Sequence, residues 1–336
     1  MARSVAGLAA AAGVALTASG VALADDTTFF RIGSGGAGGT YFPIAGLIAH
    51  AVSNPLDSRR CEAGGGCGVP GLVAVAQSSN ASVANVAAVQ SGQIESGLAS
   101  ADIVDTAFNG EDGFAEQGAH DKLRVIANLF PEHLQLVLPE GAELDSIADL
   151  AGQRVGIGQA GSGTQVVVLE LLNLLGIGRD DIDAAELNNT QSAERLADGQ
   201  LDAYFAVAGT PTPAMVQLAA TAGMELYRFE PEEIEALLEV VPDYRAAEIP
   251  AGTYEGLDHD VPTVAVGVQW VTSSDQPEDL IHDITAALWN DNSRELFTTG
   301  HAKGLDIRPE TALEGVSTPL HAGAERFYTE AGLLDP

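Results

Sequence analysis

The amino-acid sequence contains the same local pattern twice, and this repeat limits the possible fold more than any other feature. In each copy a short apolar strand is followed by a glycine-rich turn and then by a threonine that is predicted to cap an apolar helix. The first copy covers 29–39 and then Thr40, and the second covers 154–163 and then Thr164. Because strand, turn and helix recur in both halves, the sequence predicts two α/β units of similar construction.

Each glycine turn is followed by a second repeated unit of strand, polar loop, short helix and strand. Such units form largely parallel sheets, and ligands of these sheets bind at the carboxyl ends of the strands. The polar loops therefore lie where a ligand is expected. In the first half, the predicted unit comprises a strand at 72–76, the loop Gln77 to Asn80, a helix at 82–90 and a strand ending near Ala99. In the second half, it comprises a strand at 185–187, a loop at 188–191, a helix at 192–198 and a strand at 202–207.

Two longer apolar stretches, at 123–138 and 261–272, are predicted as strands that carry the chain between the two units. A helix is predicted after the second of them, at 279–290. Two such crossings make a hinge, so we predict two lobes that close over a central cleft. Lobe I is assigned to residues 25–130 and 235–336, and lobe II to residues 131–234.

The first 24 residues have the pattern of a cleaved secretory signal peptide. Arg3 precedes an apolar stretch that is too short to span a bilayer, and Ala22 and Ala24 place small residues at a cleavage site. No later segment has the length and apolarity of a membrane span. We therefore expect an exported protein that is not membrane-spanning.

The charge balance excludes nucleic acid as a partner. The chain has 47 acidic residues against 15 lysines and arginines, and its formal net charge is -32. Only Lys122 and Lys303 are lysines, so no basic patch is available for a phosphate backbone. The acidity fits a saline habitat, or a solvated acidic surface without special purpose.

Cys61 and Cys67 bracket a glycine-rich stretch. In an oxidising compartment, such a close pair predicts a disulfide that closes a small loop. A metal site is the alternative, but no second pair of ligands with suitable spacing is nearby.

The glycine turns allow two functional interpretations. Their spacing fits a dinucleotide fingerprint, which makes an exported nucleotide-dependent oxidoreductase the enzyme hypothesis. Alternatively, a helix N-terminus presents free backbone N–H groups to an anion, and glycine allows the anion a close approach. Without a hydrolase or zinc motif in the sequence, we favour a binding protein that is not an enzyme and needs no cofactor. The fingerprint glycines are Gly33, Gly35 and Gly38 in the first copy and Gly156, Gly158 and Gly161 in the second.

Five stretches, at 32–43, 82–92, 152–164, 249–254 and 260–265, closely resemble the TAXI family of extracytoplasmic solute receptors. These receptors serve tripartite ATP-independent periplasmic (TRAP) transporters. The resemblance implies a type II periplasmic-binding-protein fold, a periplasmic location, TRAP membrane subunits as partners, and glutamate or a related dicarboxylate as the solute. We expect a monomer. The resemblance assigns ligand contact to Gly36, Gly39, Thr40, Tyr41, Ser79, Asn80, Ser162, Gly163 and Thr164.

One departure from this family leaves the solute open. Where relatives often have Gln-Ser-Asp, this chain has Ser100, Ala101 and Asp102. The proposed loops also contain no arginine to clamp a carboxylate. Either backbone N–H groups bind the anion, or Arg31 or Arg228 reaches in from elsewhere.

Overall fold

A computed structural model describes residues 27–59 and 61–335 of the chain. The predicted signal peptide, residues 1–24, lies outside the described residues. The strands are β1 (Thr28–Gly33), β2 (Ser53–Asn54), β3 (Val69–Pro70), β4 (Leu72–Gln77), β5 (Ser96–Ser100), β6 (Leu123–Pro139), β7 (Arg154–Gly156), β8 (Asp183–Ala185), β9 (Ala203–Ala208), β10 (Met224–Leu226), β11 (Arg245–Ile249) and β12 (Val261–Ser273). The α-helices are α1 (Tyr41–Val52), α2 (Ser82–Gln90), α3 (Ala101–Asn109), α4 (Gly163–Leu174), α5 (Asn189–Ala197), α6 (Pro213–Ala222), α7 (Pro231–Val240), α8 (Glu278–Leu288), α9 (Asp291–Gly300) and α10 (Ala322–Glu330).

One sheet runs through both lobes, with the strand order β4-β1-β5-β12-β6-β9-β7-β8. In lobe I, β1 pairs in parallel with β4 and β5, and in lobe II, β7 pairs in parallel with β8 and β9. The long strands β6 and β12 pair with each other in antiparallel orientation between these two groups. Both predicted crossings are therefore confirmed, and they lie side by side.

Apolar residues on both faces of the sheet hold each lobe together. In lobe I, Phe30 and Trp270 are fully buried in one cluster, and their rings meet edge to face with centroids 6.3 Å apart. In lobe II, Phe205 and Tyr204 are neighbours in β9 but belong to clusters on opposite faces. Because side chains alternate along a strand, each lobe packs helices against both sides of its sheet.

The hinge strands divide between the lobes near the pair Pro131 and Gly267. Residues of β6 before Pro131 pack in the clusters of lobe I, and those from Leu134 onward pack in the clusters of lobe II. Segment 235–266 contributes Leu237 and other residues to the lobe II clusters. The lobe boundary at residue 235 stays a prediction, and these contacts favour a later return at Gly267.

The predicted disulfide is confirmed. Cys61 and Cys67 are bonded, with their Cα atoms 4.8 Å apart. The loop docks against the start of α9, where Asn290 Nδ2 donates a hydrogen bond to the Cys67 carbonyl at 3.1 Å and Asn292 contacts Cys67 Sγ. The disulfide therefore fixes a surface loop of lobe I. Within the described ranges, no helix is long and apolar enough to cross a membrane.

Candidate ligand-binding cavity

A cavity of about 60 Å³ lies between the two lobes. Four helices begin at its wall: α1 and α2 from lobe I, and α4 and α5 from lobe II. Each helix N-terminus carries unpaired backbone N–H groups and the positive end of the helix dipole. The arrangement therefore favours a ligand with negative charge. The cavity is lined by Gly35, Gly36, Gly39, Thr40, Tyr41, Ala81, Ser82, Glu132, Gly158, Gln159, Ser162, Gly163, Thr164, Leu187, Asn188, Asn189, Val207 and Ala208.

The start of α1 corrects the predicted role of Thr40. Thr40 occupies the N-cap position, but its side chain makes no capping hydrogen bond. Its Oγ1 instead donates to the carbonyl of Gly209 in lobe II at 2.8 Å. The backbone N–H groups at the start of α1 are therefore free of a side-chain cap, and Thr40 connects the two lobes.

The start of α4 corrects the prediction that Thr164 is its cap. Ser162 is the N-cap, in an extended conformation, and its Oγ accepts a hydrogen bond from Gln165 N at 3.1 Å. Thr164 already lies in the first helical turn, where its Oγ1 accepts from the backbone N–H of Val207 at 3.1 Å. Thr164 thus ties α4 to β9, while Ser162 caps the helix.

The N-terminus of α2 has an unusual backbone conformation. Its N-cap residue, Ala81, has φ 71° and ψ -146° and makes no side-chain cap. Only glycine adopts this region readily, so the conformation is strained by about 1–3 kcal/mol. Strain of this kind is typical of ligand sites, and Ala81 lines the cavity.

The glycine turns are where the lobes meet. A Cβ atom on Gly38 would overlap with Thr190 Oγ1 and would lie 3.0 Å from the backbone nitrogen of Thr190 in lobe II. A Cβ on Gly163 would lie 3.0 Å from Ser100 Oγ in lobe I. Backbone hydrogen bonds across the interface, from Ala214 N to the Gly38 carbonyl at 3.0 Å among them, complete this contact. These glycines are required for the close approach of one lobe to the other.

The structure brings seven of the nine predicted site residues to the cavity wall and places Ser79 and Asn80 elsewhere. Ser79 Oγ donates to the Ser34 carbonyl at 2.9 Å and lies 2.7 Å from Asn85 Oδ1, so it holds the two loops of lobe I together. Asn80 Nδ2 donates to the Ala160 carbonyl of lobe II at 3.1 Å. Their side chains are used for loop packing and lobe contact because the loop turns them away from the cavity.

Neither arginine suggested as a carboxylate clamp reaches the cavity. Arg31 forms an ion pair with Glu95, with Nη2 2.6 Å from Oε1, and Arg228 is exposed at the surface. None of the described residues that line the cavity is a lysine or an arginine. The donors available to an anion are therefore backbone N–H groups and uncharged side chains such as those of Gln159 and Asn189.

Sequence reasoning missed Glu132, a buried carboxyl on the cavity wall. Tyr41 OH donates a hydrogen bond to Glu132 Oε1 at 2.8 Å. Burial raises the pKa of Glu132 well above its usual range, and the nearby charge of Asp102 raises it further, although the Tyr41 hydrogen bond opposes this shift. A protonated Glu132 has a hydroxyl that can donate to an anionic ligand. No motif marks this residue, because it lies inside a long strand.

Asn188 and Asn189 also line the cavity, at the start of α5. The sequence predicted them as part of a loop, whereas α5 begins at Asn189, with Asn188 as its cap. Asn188 Oδ1 accepts from Gln191 N at 3.0 Å, and Gln191 Oε1 accepts from Asn188 N at 3.2 Å. This reciprocal capping box is a sequence signal that places the start of the helix at Asn189.

Two lobes, two antiparallel hinge strands and a cavity ringed by helix N-termini define a type II periplasmic-binding-protein fold. A model of the NMT1-like family matches residues 32–332, so the chain belongs to this family.

Solved structures of similar fold include a protein of Bordetella bronchiseptica RB50, at 14% identity and a TM-score of 0.50, with 92% of this chain and 83% of that chain covered. The alkanesulfonate-binding protein of Xanthomonas axonopodis pv. citri, bound to MOPS, is similar at 16% identity and a TM-score of 0.43, covering 93% and 96%. The arginine-, lysine-, histidine-binding protein of Geobacillus stearothermophilus is similar at 12% identity and a TM-score of 0.47, covering 82% and 96%. At these identities the likeness is one of fold.

Proposed function

We propose that this protein is an extracytoplasmic solute receptor that closes its two lobes over a small anionic solute. The convergence of four helix N-termini on one cavity carries this proposal. In lobe I, α1 and α2 have no side-chain cap. The N–H of Ala84 in α2 donates to the Gly161 carbonyl of lobe II at 3.1 Å, so the earlier N–H groups of α2 and those at the start of α1 are the ones available to a ligand. Partial positive charge from both lobes favours an anion held between them.

The proposed solute is glutamate or a related dicarboxylate, delivered to the membrane subunits of a TRAP transporter. The resemblance to TAXI receptors supports this finer assignment, and the chain then acts in the periplasm after removal of residues 1–24. The cavity volume also supports a small solute. At about 60 Å³, the cavity is small.

The geometry does not favour the nucleotide-dependent oxidoreductase. A cavity of about 60 Å³ is too small for a dinucleotide with two nucleosides. The turn that contains Gly38 contacts the opposite lobe, where a pyrophosphate would have to lie. Recovery of bound NAD or FAD in near-equal amount to the native protein would reverse this preference.

A thermal-shift screen tests the receptor proposal. Amino acids and dicarboxylates are added to the purified protein, and the melting temperature is measured. A ligand at 100 times its Kd stabilises the folded state by about 2.7 kcal/mol, so the correct solute raises the melting temperature. If no anion shifts it while neutral or cationic solutes do, the proposed class of ligand is wrong.

A further inference from the structure

A second cavity, of about 360 Å³, lies between the lobes beside the first. Lobe I contributes α3 and the turn after it, and lobe II contributes α4 and the segment after α7. None of its described lining residues is a lysine or an arginine. We call it the acidic cavity because its lining includes the carboxyl groups of Asp102, Asp105, Glu111, Asp112, Glu170 and Asp243.

The acidic residues of the cavity come from both lobes, and no lysine or arginine is among the described lining residues. Asp102 is only 8% exposed, and its Oδ1 has no hydrogen-bond partner. Burial raises the pKa of Asp102 to about 6. Burial, followed by the charges of Asp102 and Asp112, raises the pKa of Glu170 to about 7. Asp102 is buried and Glu170 half-buried, and carboxyls that repel one another in such surroundings are stabilised by a bound cation.

The shape and lining of the acidic cavity indicate which kind of cation fits. A metal ion needs several oxygen ligands around one point, and no group of three potential metal ligands is positioned for this among the described residues. The same lining also contains apolar side chains, including Val83, Ile103, Phe114, Val166 and Val240. A lining that combines acidic and apolar side chains matches a chain of methylenes that carries amines at intervals.

We propose that the acidic cavity binds a linear aliphatic polyamine, with ammonium groups at Asp102 and Glu170 and with its methylene chain against the valines. Charge-assisted hydrogen bonds to buried carboxylates are the strong kind. Because Asp102 belongs to lobe I and Glu170 to lobe II, the bound polyamine favours the closed arrangement of the lobes. The acidic cavity adjoins the central cavity, since Ser162 lines both, but Asp102 and Glu170 line only the acidic cavity.

Calorimetric titration with spermidine tests the proposal. Sodium chloride at about 0.3 M screens weak attraction to the acidic surface, so that a specific site stands out. We expect one bound spermidine per chain, and no binding of an aliphatic diol of similar length. Binding of calcium chloride in place of spermidine would overturn the proposal in favour of a metal site.

Paired variants locate the site. The double variant Asp102→Asn with Glu170→Gln removes two charges in the cavity, and Asp145→Asn with Glu143→Gln removes two at exposed positions. We expect the first to weaken spermidine binding by about tenfold or more and the second to change it little. Equal binding by both double variants would show unspecific attraction to the acidic surface and would overturn the proposal.

A variant at the surface keeps the proposal testable if the double variant at Asp102 and Glu170 fails to fold. Val240 lines the acidic cavity and is 42% exposed, so Val240→Lys places a competing ammonium at its mouth. Val216, on α6, is 46% exposed and lies outside the cavity lining, which makes Val216→Lys the matched control. Spermidine affinity should fall by about tenfold in Val240→Lys only. Undiminished affinity in a folded Val240→Lys protein would also overturn the proposal.

Discussion

At the scale of single residues, Glu132 is the group that most affects which solute the central cavity accepts. Its carboxyl is buried on the cavity wall and accepts a hydrogen bond from Tyr41. With its pKa raised by burial, Glu132 is neutral where an ordinary glutamate is charged. A neutral carboxyl donates to an anion, whereas an ionised one attracts an amine. The protonation state of Glu132 therefore decides whether the cavity prefers a dicarboxylate without an amine or one with an amine, such as glutamate.

We predict that Glu132→Gln keeps the affinity for a dicarboxylate within about threefold at pH 7, because an amide can also donate a hydrogen bond. In the unsubstituted protein the affinity should fall as the pH rises through the raised pKa of Glu132, since the ionised form repels the anion. Calorimetric titration across pH measures both. Glu143→Gln, at an exposed position, is the control and should keep the pH dependence of the unsubstituted protein. A large loss of affinity in Glu132→Gln would instead indicate that an ionised Glu132 binds an amine.

At the scale of secondary structure, the helix starts divide into two kinds. In lobe II, α4 and α5 are capped by their own side chains, Ser162 and Asn188. In lobe I, α1 and α2 have no side-chain cap. A free helix start in the interior of a protein is unfavourable until a partner satisfies it. The start of α2 is partly satisfied, because the N–H of Ala84 donates to the Gly161 carbonyl, so the start of α1 gains most from an anionic ligand.

Removal of the α4 cap by Ser162→Ala should lower the free energy of unfolding by about 1 kcal/mol, because Gln165 N loses its acceptor. It should also weaken solute binding, since Ser162 lines the cavity. Asn290→Ala removes the equivalent cap of α9, far from the cavity, and should lower stability without changing affinity. Chemical denaturation and calorimetric titration measure the two effects. Unchanged stability in Ser162→Ala would mean that this cap contributes nothing.

At the scale of the whole molecule, closure requires the glycine turns of one lobe to fit against the other. Among the glycines of these turns, Gly38 has the least space for a side chain. The atoms that its Cβ would meet belong to Thr190 and Ala214 of lobe II. A side chain at this position leaves lobe I itself undisturbed. Substitution of Gly38 therefore acts on the closed arrangement and leaves the fold of each lobe intact.

We predict that Gly38→Val holds the lobes apart. In the unsubstituted protein, a saturating solute should reduce the radius of gyration measured by solution scattering, and in Gly38→Val this reduction should be absent. Gly46→Val is the matched control, because nothing lies within 4 Å of a Cβ at this exposed position of α1. Normal closure in Gly38→Val would show that the turns do not limit the approach of the lobes.

The sequence by itself determined the local features of this protein. Strands, glycine turns and helices follow from the spacing of apolar residues, from capping residues and from glycine or proline within a few neighbouring positions. Both copies of the repeat, α2 and the two hinge strands were therefore predictable. The close spacing of Cys61 and Cys67 was likewise sufficient for the disulfide. Such patterns depend only on residues that are close in the sequence, so they can be identified without knowledge of the fold.

Only the tertiary structure decided which of these features meet. Glu132 lies within a strand, and its burial beside Tyr41 results from the packing of β6 against α1, which no local pattern records. Thr40 was predicted as a cap, yet a carbonyl from lobe II supplies a better partner for its hydroxyl. The acidic cavity likewise joins α3 and α4, which are distant along the chain. Contacts between the lobes depend on long-range geometry, and for this reason the site required the folded molecule.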